Sequence, residues 1–196
     1  MSKTLEFFYD FTSPTAYLAW VRLPAIIERT GAKLVYRPIF LGGVMQATGN
    51  RPPGTVEAKG RWMAADLQRW AKRFDTPFER NPHFPMMTLM VQRAAHGWID
   101  RPDFDTYLAA IFNAAWQKQQ NIADKDTLAA IVTEAGFSAA DFFAAAENPA
   151  NKEKLKATTD EAVERGVFGA PTFFVGDEMH FGQDRLDFVE EALARL

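Results

Sequence analysis

The sequence predicts an α/β protein in which a block of helices is spliced into a small sheet. Three observations predict it. Residues 4–40 read as strand, helix, strand; residues 172–196 read as two short strands and a helix; and between them strand signals vanish.

The elements follow in order. In residues 4–10, Leu5, Phe7 and Tyr9 fall on one side of an extended segment and Phe8 on the other, as in a strand covered on both faces. Pro14 to about Thr30 reads as helix, with Tyr17, Leu18, Val21 and Ile26 apolar and Pro24 expected to kink or break it. Gly31 ends it, and "KLVYRPIF" is a second strand. After the Gly/Pro-rich "LGGVMQATGNRPPG", Met63, Leu67, Trp70 and Phe74 recur at helical spacing, and residues 103–118 carry a wide apolar stripe that includes Trp116. "DTLAAIVTEAG" and "SAADFFAAAE" each begin with a cap, and a more polar helix over 150–165 stops at Gly166. Thr172–Val175 and Glu178–Phe181 read as a hairpin turning at Gly176-Asp177, and Leu186, Val189, Leu193 and Leu196 mark one face of a closing helix. Without the helical block the order is βαβ then ββα. That is a thioredoxin-like fold with an all-helical domain inserted between its halves: residues 1–42 and 166–196 form the thioredoxin-like domain and 43–165 the insert.

Composition narrows the function. A chain of 196 residues with 47% hydrophobic content holds a sizeable core. Its net charge of -3 is mixed in sign without a basic block, so no nucleic-acid partner is expected. The absence of Cys excludes disulfides, thiolate metal ligands and a cysteine nucleophile. His83, His96 and His180 are scattered without ligand spacing, so no metal is expected. "MSKTLEFFYDFTS" enters a strand directly without a leader pattern, and no apolar run is long enough for a bilayer. The expected location is the cytoplasm, with no membrane partner.

Ser13 stands at the strand-to-helix join in "FTSPTAY", where a thioredoxin-like redox protein carries Cys-X-X-Cys; here the four positions read Ser-Pro-Thr-Ala. Ser before Pro is also an ordinary helix cap, and the residues alone leave both roles open. In "FGAPTF", Pro171 stands where this fold carries a cis-proline loop, which would turn the backbone of Ala170 toward the helix start; an ordinary turn proline reads the same. Asn50, Lys59, Gln183 and Asp184 are polar positions at loops and helix starts. Each reads as a cap or surface residue; a helix start also favours a carboxylate, and an Asp there can receive an ammonium.

"FYDFTSPTAYLA", "RPIFLGGVMQATGNRPP", "NPHFP", "FGAPTFFV" and "FGQDRL" follow one another along nearly the whole chain. Together they resemble the 2-hydroxychromene-2-carboxylate isomerase and kappa-class glutathione transferase family, of thioredoxin-like, DsbA-type fold. The resemblance implies glutathione as cofactor, with Ser13 donating a hydrogen bond to its sulfur as a thiolate stabiliser. It implies Asn50 and Lys59 at the glycine end, the Ala170 backbone before Pro171 at the cysteinyl unit, and Gln183 and Asp184 at the γ-glutamyl end. Many transferases of this family have Ser where Gln183 stands. A borrowed thiol accounts for a chain without its own.

An isomerase of this kind would add the thiolate to an activated double bond, allow rotation and eliminate; a transferase would release the adduct. "NPHFP" and the short C-terminus resemble the isomerase side, on an aromatic-degradation intermediate. The alternatives are conjugation of an electrophile and glutathione binding without catalysis. His83, Met87 and Trp116 are the candidate substrate wall; the resemblance leads one to expect Asn at position 87, so Met implies a more apolar acceptor. Core packing is the plain reading of Trp116, and capping after Asn81-Pro82 that of His83. Relatives imply a homodimer.

Overall fold

The computed structural model describes residues 3–196. Strand β1 (Thr4–Tyr9) leads into α1 (Pro14–Trp20) and α2 (Leu23–Thr30), then β2 (Lys33–Pro38). The helices α3 (Leu41–Thr48), α4 (Glu57–Arg73), α5 (Leu89–Trp98), α6 (Phe104–Trp116), α7 (Lys125–Glu134), α8 (Ala139–Glu147) and α9 (Pro149–Glu164) follow. A hairpin of β3 (Thr172–Val175) and β4 (Glu178–Phe181), a 3-10 turn (Gln183–Arg185) and α10 (Leu186–Ala194) close the chain. The sheet order is β2-β1-β3-β4, with β1 parallel to β2 and antiparallel to β3.

β1 is the sheet's spine because both its faces are apolar. Leu5, Phe7 and Tyr9 join a core that runs on through Ile111, Leu128 and Phe142, whereas Phe8 packs with Ile39, Val44, Ala162 and Phe174 on the other face. Phe112 of α6 makes the join: its ring lies 4.7 Å from Phe11, 5.2 Å from Trp20, 5.9 Å from Tyr9 and 6.1 Å from Tyr17. The helices are thus packed into the strand end from which the site is built.

Three features depart from the sequence reading. The stretch over 14–30 is broken, as Pro24 leads one to expect, but the break falls at Val21 and Arg22 and leaves Pro24 in the first turn of α2, where a missing N–H costs nothing. "LGGVMQAT" is helical despite paired glycines: Leu41 and Val44 are buried, and the Asp10 carboxylate accepts the Leu41 N–H at 2.8 Å, neutralising an open helix start. This helix runs across the 42/43 position, and its pairing with α9 places it over one face of the sheet. Finally, α10 begins at Leu186, so Gln183 and Asp184 lie in the turn before it rather than at its first positions.

Helix α5 anchors the open ends of β1 and β2. Gln92 and His96 stand four apart on one helix face. The Gln92 amide donates to the carbonyls of Tyr9 (2.9 Å) and Ile39 (2.6 Å), and His96 Nε2 lies 2.9 Å from the Pro38 carbonyl. The Tyr9 carbonyl also accepts the Ile39 N–H at 3.0 Å; the Pro38 and Ile39 carbonyls would cost about 1–3 kcal/mol each if buried unpaired. Among the described residues, no helix is long and apolar enough to cross a membrane.

Candidate active site

Ser13 caps α1 with its backbone extended (φ -87°, ψ 114°), and its Oγ accepts the Ala16 N–H at 3.1 Å. The cap is real. The same hydroxyl donates across the fold to the Ala170 carbonyl at 2.8 Å, and the Ala170–Pro171 bond is cis. Thr15 Oγ1 stands 2.9 Å from Ser13 Oγ and donates to the same carbonyl at 3.1 Å. The two hydroxyls and the carbonyl therefore form a triangle, with Ser13 4%, Thr15 9% and Ala170 7% exposed. Helix α1 has seven residues, and one of its first N–H groups is already taken by the Ser13 hydroxyl.

The backbone under Ser13 is tied from three sides. Its N–H donates to the Asp10 carbonyl at 2.9 Å. The Asp10 carboxylate, fully buried, accepts from the Thr12 N–H (3.0 Å), the Thr88 hydroxyl (2.7 Å) and the Leu41 N–H. Burial pushes its pKa up to about 6, against the pull of those three donors. Trp116 donates its indole N–H to the Phe11 carbonyl at 2.8 Å.

The other predicted site residues are placed as follows. Asn50, just past α3, donates its amide to the Phe168 carbonyl (2.8 Å), two residues before Ala170, and accepts the Arg51 N–H. Lys59 extends from the first turn of α4, exposed and without an ion-pair partner among the described residues. Helix α4 in turn packs on α1. Gln183 is buried and Asp184 exposed, the latter bound to Arg185 at 2.6 Å. Their turn meets the proline loop because the Gly182 N–H donates to the Pro171 carbonyl at 3.0 Å. Gly182 has φ 101°, and a Cβ there would stand 2.4 Å from Asp184 Oδ1, so glycine alone suits the approach. Both residues also line a cavity of about 150 Å³ against Arg22, Trp70, Arg73 and Phe74, a wall that Ser13 does not share.

On the facing side, His83 and Met87 are exposed in the loop before α5. That loop is pinned by Asn81, whose amide donates to the carbonyls of Ala115 and Gln120 at 2.8 Å each, and by the Met86 N–H donating to Thr12 Oγ1 at 3.2 Å. Trp116 itself is 2% exposed, its ring stacked 5.9 Å from Phe78. Its place is in the core, behind the half-exposed Phe84, whose ring lies 5.9 Å away. Sequence reasoning did not single out Phe84, Asp10 or Thr15. An acidic residue directly after the aromatic run Phe7-Phe8-Tyr9 was the available signal for Asp10.

The model of the DSBA-like thioredoxin domain matches residues 4–194. The chain belongs to this family. As a DSBA-like thioredoxin domain it is 32% identical over 98% of its length, and 99% of the relative's, to a 2-hydroxychromene-2-carboxylate isomerase of Sphingobium xenophagum. It is 27% identical to the human glutathione S-transferase kappa 1, over 98% of this chain and 92% of that one. The solved structure of a 2-hydroxychromene-2-carboxylate isomerase superposes with a TM-score of 0.88 at 29% identity, covering 98% of this DSBA-like domain and 95% of that chain.

Proposed function

We propose that this protein is a glutathione-dependent isomerase of the 2-hydroxychromene-2-carboxylate type. The observation that carries the reading is Ser13: a buried hydroxyl held at the strand–helix join, facing the carbonyl before a cis-proline, in a chain with no cysteine of its own. The full-length likeness to isomerases at 32% and 34% identity supports isomerisation over conjugation, for which the human kappa-class relative stands at 27%.

Bound glutathione would supply a thiolate nucleophile for reversible addition to an activated double bond. The residues present suit it. Ser13 Oγ–H is a donor for an anionic sulfur, Lys59 has an uncommitted ammonium for a carboxylate, and Asn50 keeps a second amide N–H beyond the one given to Phe168. Asp184 would share its carboxylate between Arg185 and an ammonium, and Gln183 offers an amide beside it. Ala170 would present its backbone N–H to the cysteinyl unit, its carbonyl being held by Ser13 and Thr15, and Pro171 fixes that presentation.

In this reading Ser13 holds a proton and does not transfer it. A free thiol titrates near pH 8.5, and a hydrogen bond to the charged form is worth about 1.5–3 kcal/mol, or roughly one to two pKa units. Lys59 acts at a distance from the sulfur and contributes affinity. The substrate would lie between Ser13 and the 81–88 loop, bounded by His83, Phe84 and Met87, with Trp116 supporting the loop from within. Met87, exposed and apolar, favours a second reading in which an apolar electrophile is conjugated. A homodimer in the cytoplasm completes the proposal.

The test is turnover of a chromene-carboxylate with catalytic glutathione. Isomerisation without thiol consumption is expected; stoichiometric loss of thiol with chlorodinitrobenzene and no isomerisation would replace the isomerase with the transferase. Ser13→Ala should raise the bound thiol's pKa by about one to two units, and Lys59→Ala should raise the glutathione Kd while leaving that pKa in place.

A further inference from the structure

The triangle of Ser13, Thr15 and Ala170 poses a counting problem. Three oxygens share two hydroxyl protons, and the Ser13 proton is already engaged with the Ala170 carbonyl at 2.8 Å. To serve a sulfur, Ser13 must turn that proton away. The carbonyl left behind belongs to a residue 7% exposed, and without a second donor it would stand unpaired and destabilise the turned state. Thr15 Oγ1 lies 3.1 Å from the same carbonyl and 2.9 Å from Ser13 Oγ, so it can bond either.

We propose that Thr15 is a positioning residue that keeps the Ala170 carbonyl satisfied while Ser13 aims its hydroxyl at the thiolate. The inference rests on the proposed role of Ser13 and deepens it. In one arrangement the Ser13 O–H bonds the carbonyl and the Thr15 O–H bonds Ser13 Oγ. In the other, the Thr15 O–H bonds the carbonyl, and the Ser13 O–H is released while its oxygen still accepts the Ala16 N–H. No proton changes owner; two O–H bonds rotate. A hydroxyl has one donor and two acceptor sites, which is enough for both arrangements.

The residue type fits this work better than it fits a helix. Thr15 stands at the second position of a seven-residue helix, where its β-branch costs propensity relative to alanine or glutamate. Its side chain is buried, and its oxygen faces the site instead of solvent. Valine has the same shape without the proton, which makes the role separable from packing.

The experiment titrates the ultraviolet thiolate absorbance of bound glutathione in the wild type, Thr15→Val, Thr15→Ser and Ser13→Ala, with the Kd measured on the same samples. Thr15→Val is expected to lower the thiolate fraction at neutral pH by about three- to tenfold, as the loss of one neutral hydrogen bond would, with Kd changed less than about twofold. Thr15→Ser, which restores the proton, should return the wild-type titration. If Thr15→Val fails to fold, Thr15→Ala carries the same expectation. A wild-type titration in Thr15→Val beside a raised pKa in Ser13→Ala overturns the role of Thr15 alone. An unshifted pKa in Ser13→Ala, or no binding of glutathione to the wild type, overturns the reading of Ser13 and this inference with it.

Discussion

His96 should make this protein lose stability on mild acidification, and replacing it should remove that loss. The ring is 7% exposed against the end of β2, and its Nε2 donates to the Pro38 carbonyl in the neutral form. Burial, with smaller repulsions from Lys154 and Arg37, brings its pKa down to about 4, although the Pro38 bond resists the shift. The unfolded chain takes up a proton near the ordinary value of 6.5 that the folded chain refuses. Stability is therefore complete above about pH 6.5 and falls by about 1.4 kcal/mol per unit as pH drops toward 4, or roughly 2 kcal/mol by pH 5. Asp10 works in the opposite direction. Its folded pKa of about 6 lies above the ordinary 3.8, so its contribution is present below 3.8 and is lost as pH rises through 6. The two effects offset one another in the wild-type curve, and only a difference experiment separates them. Urea unfolding of wild type and His96→Gln at pH 7.5 and pH 5, at constant ionic strength, should show the variant losing about 2 kcal/mol less between the two pH values. Gln keeps a donor within reach of Pro38. Parallel losses in the two proteins would refute the account of His96.

Other substitutions probe the same framework. Asp10→Asn places an NH2 against one of the N–H groups of Thr12 or Leu41, and should cost about 1–3 kcal/mol above pH 6 while flattening the dependence between pH 3.8 and 6, as urea midpoints would report. Phe112→Ala empties the contact between α6 and the β1–α1 join; a loss of about 3–5 kcal/mol by thermal or urea unfolding is expected, and a loss below 1 kcal/mol would mean that this junction is not packed as described. Trp116→Phe removes the donor to the Phe11 carbonyl while keeping the ring, so about 1–3 kcal/mol of stability should go, accompanied by a lower kcat because the anchored carbonyl is two residues from Ser13.

The residues of the candidate site were legible in order along the chain, and their meeting in space was not. Ser13 was marked by its position between a strand and a proline-started helix, and Ala170-Pro171 by a small residue before proline at a strand entry. Neither mark says that a hydroxyl and a carbonyl 157 positions apart meet at 2.8 Å. Trp116 shows the converse: a stripe of aromatic residues reads as core, and its indole N–H proved to be an anchor for the backbone beneath Ser13. Helix α3 was hidden because Gly42 and Gly43 lower local propensity, and the carboxylate that supports its start comes from Asp10 on another element.

By itself the sequence determined the two strand-bearing ends, the helical run between them and the lack of any thiol, because side-chain periodicity and residue type are local properties. Only the tertiary structure decided which polar groups share a buried point. Hydrogen bonds between distant segments depend on how strands and helices pack, so Thr15, silent in the sequence, gains its meaning from a carbonyl brought to it by the rest of the fold.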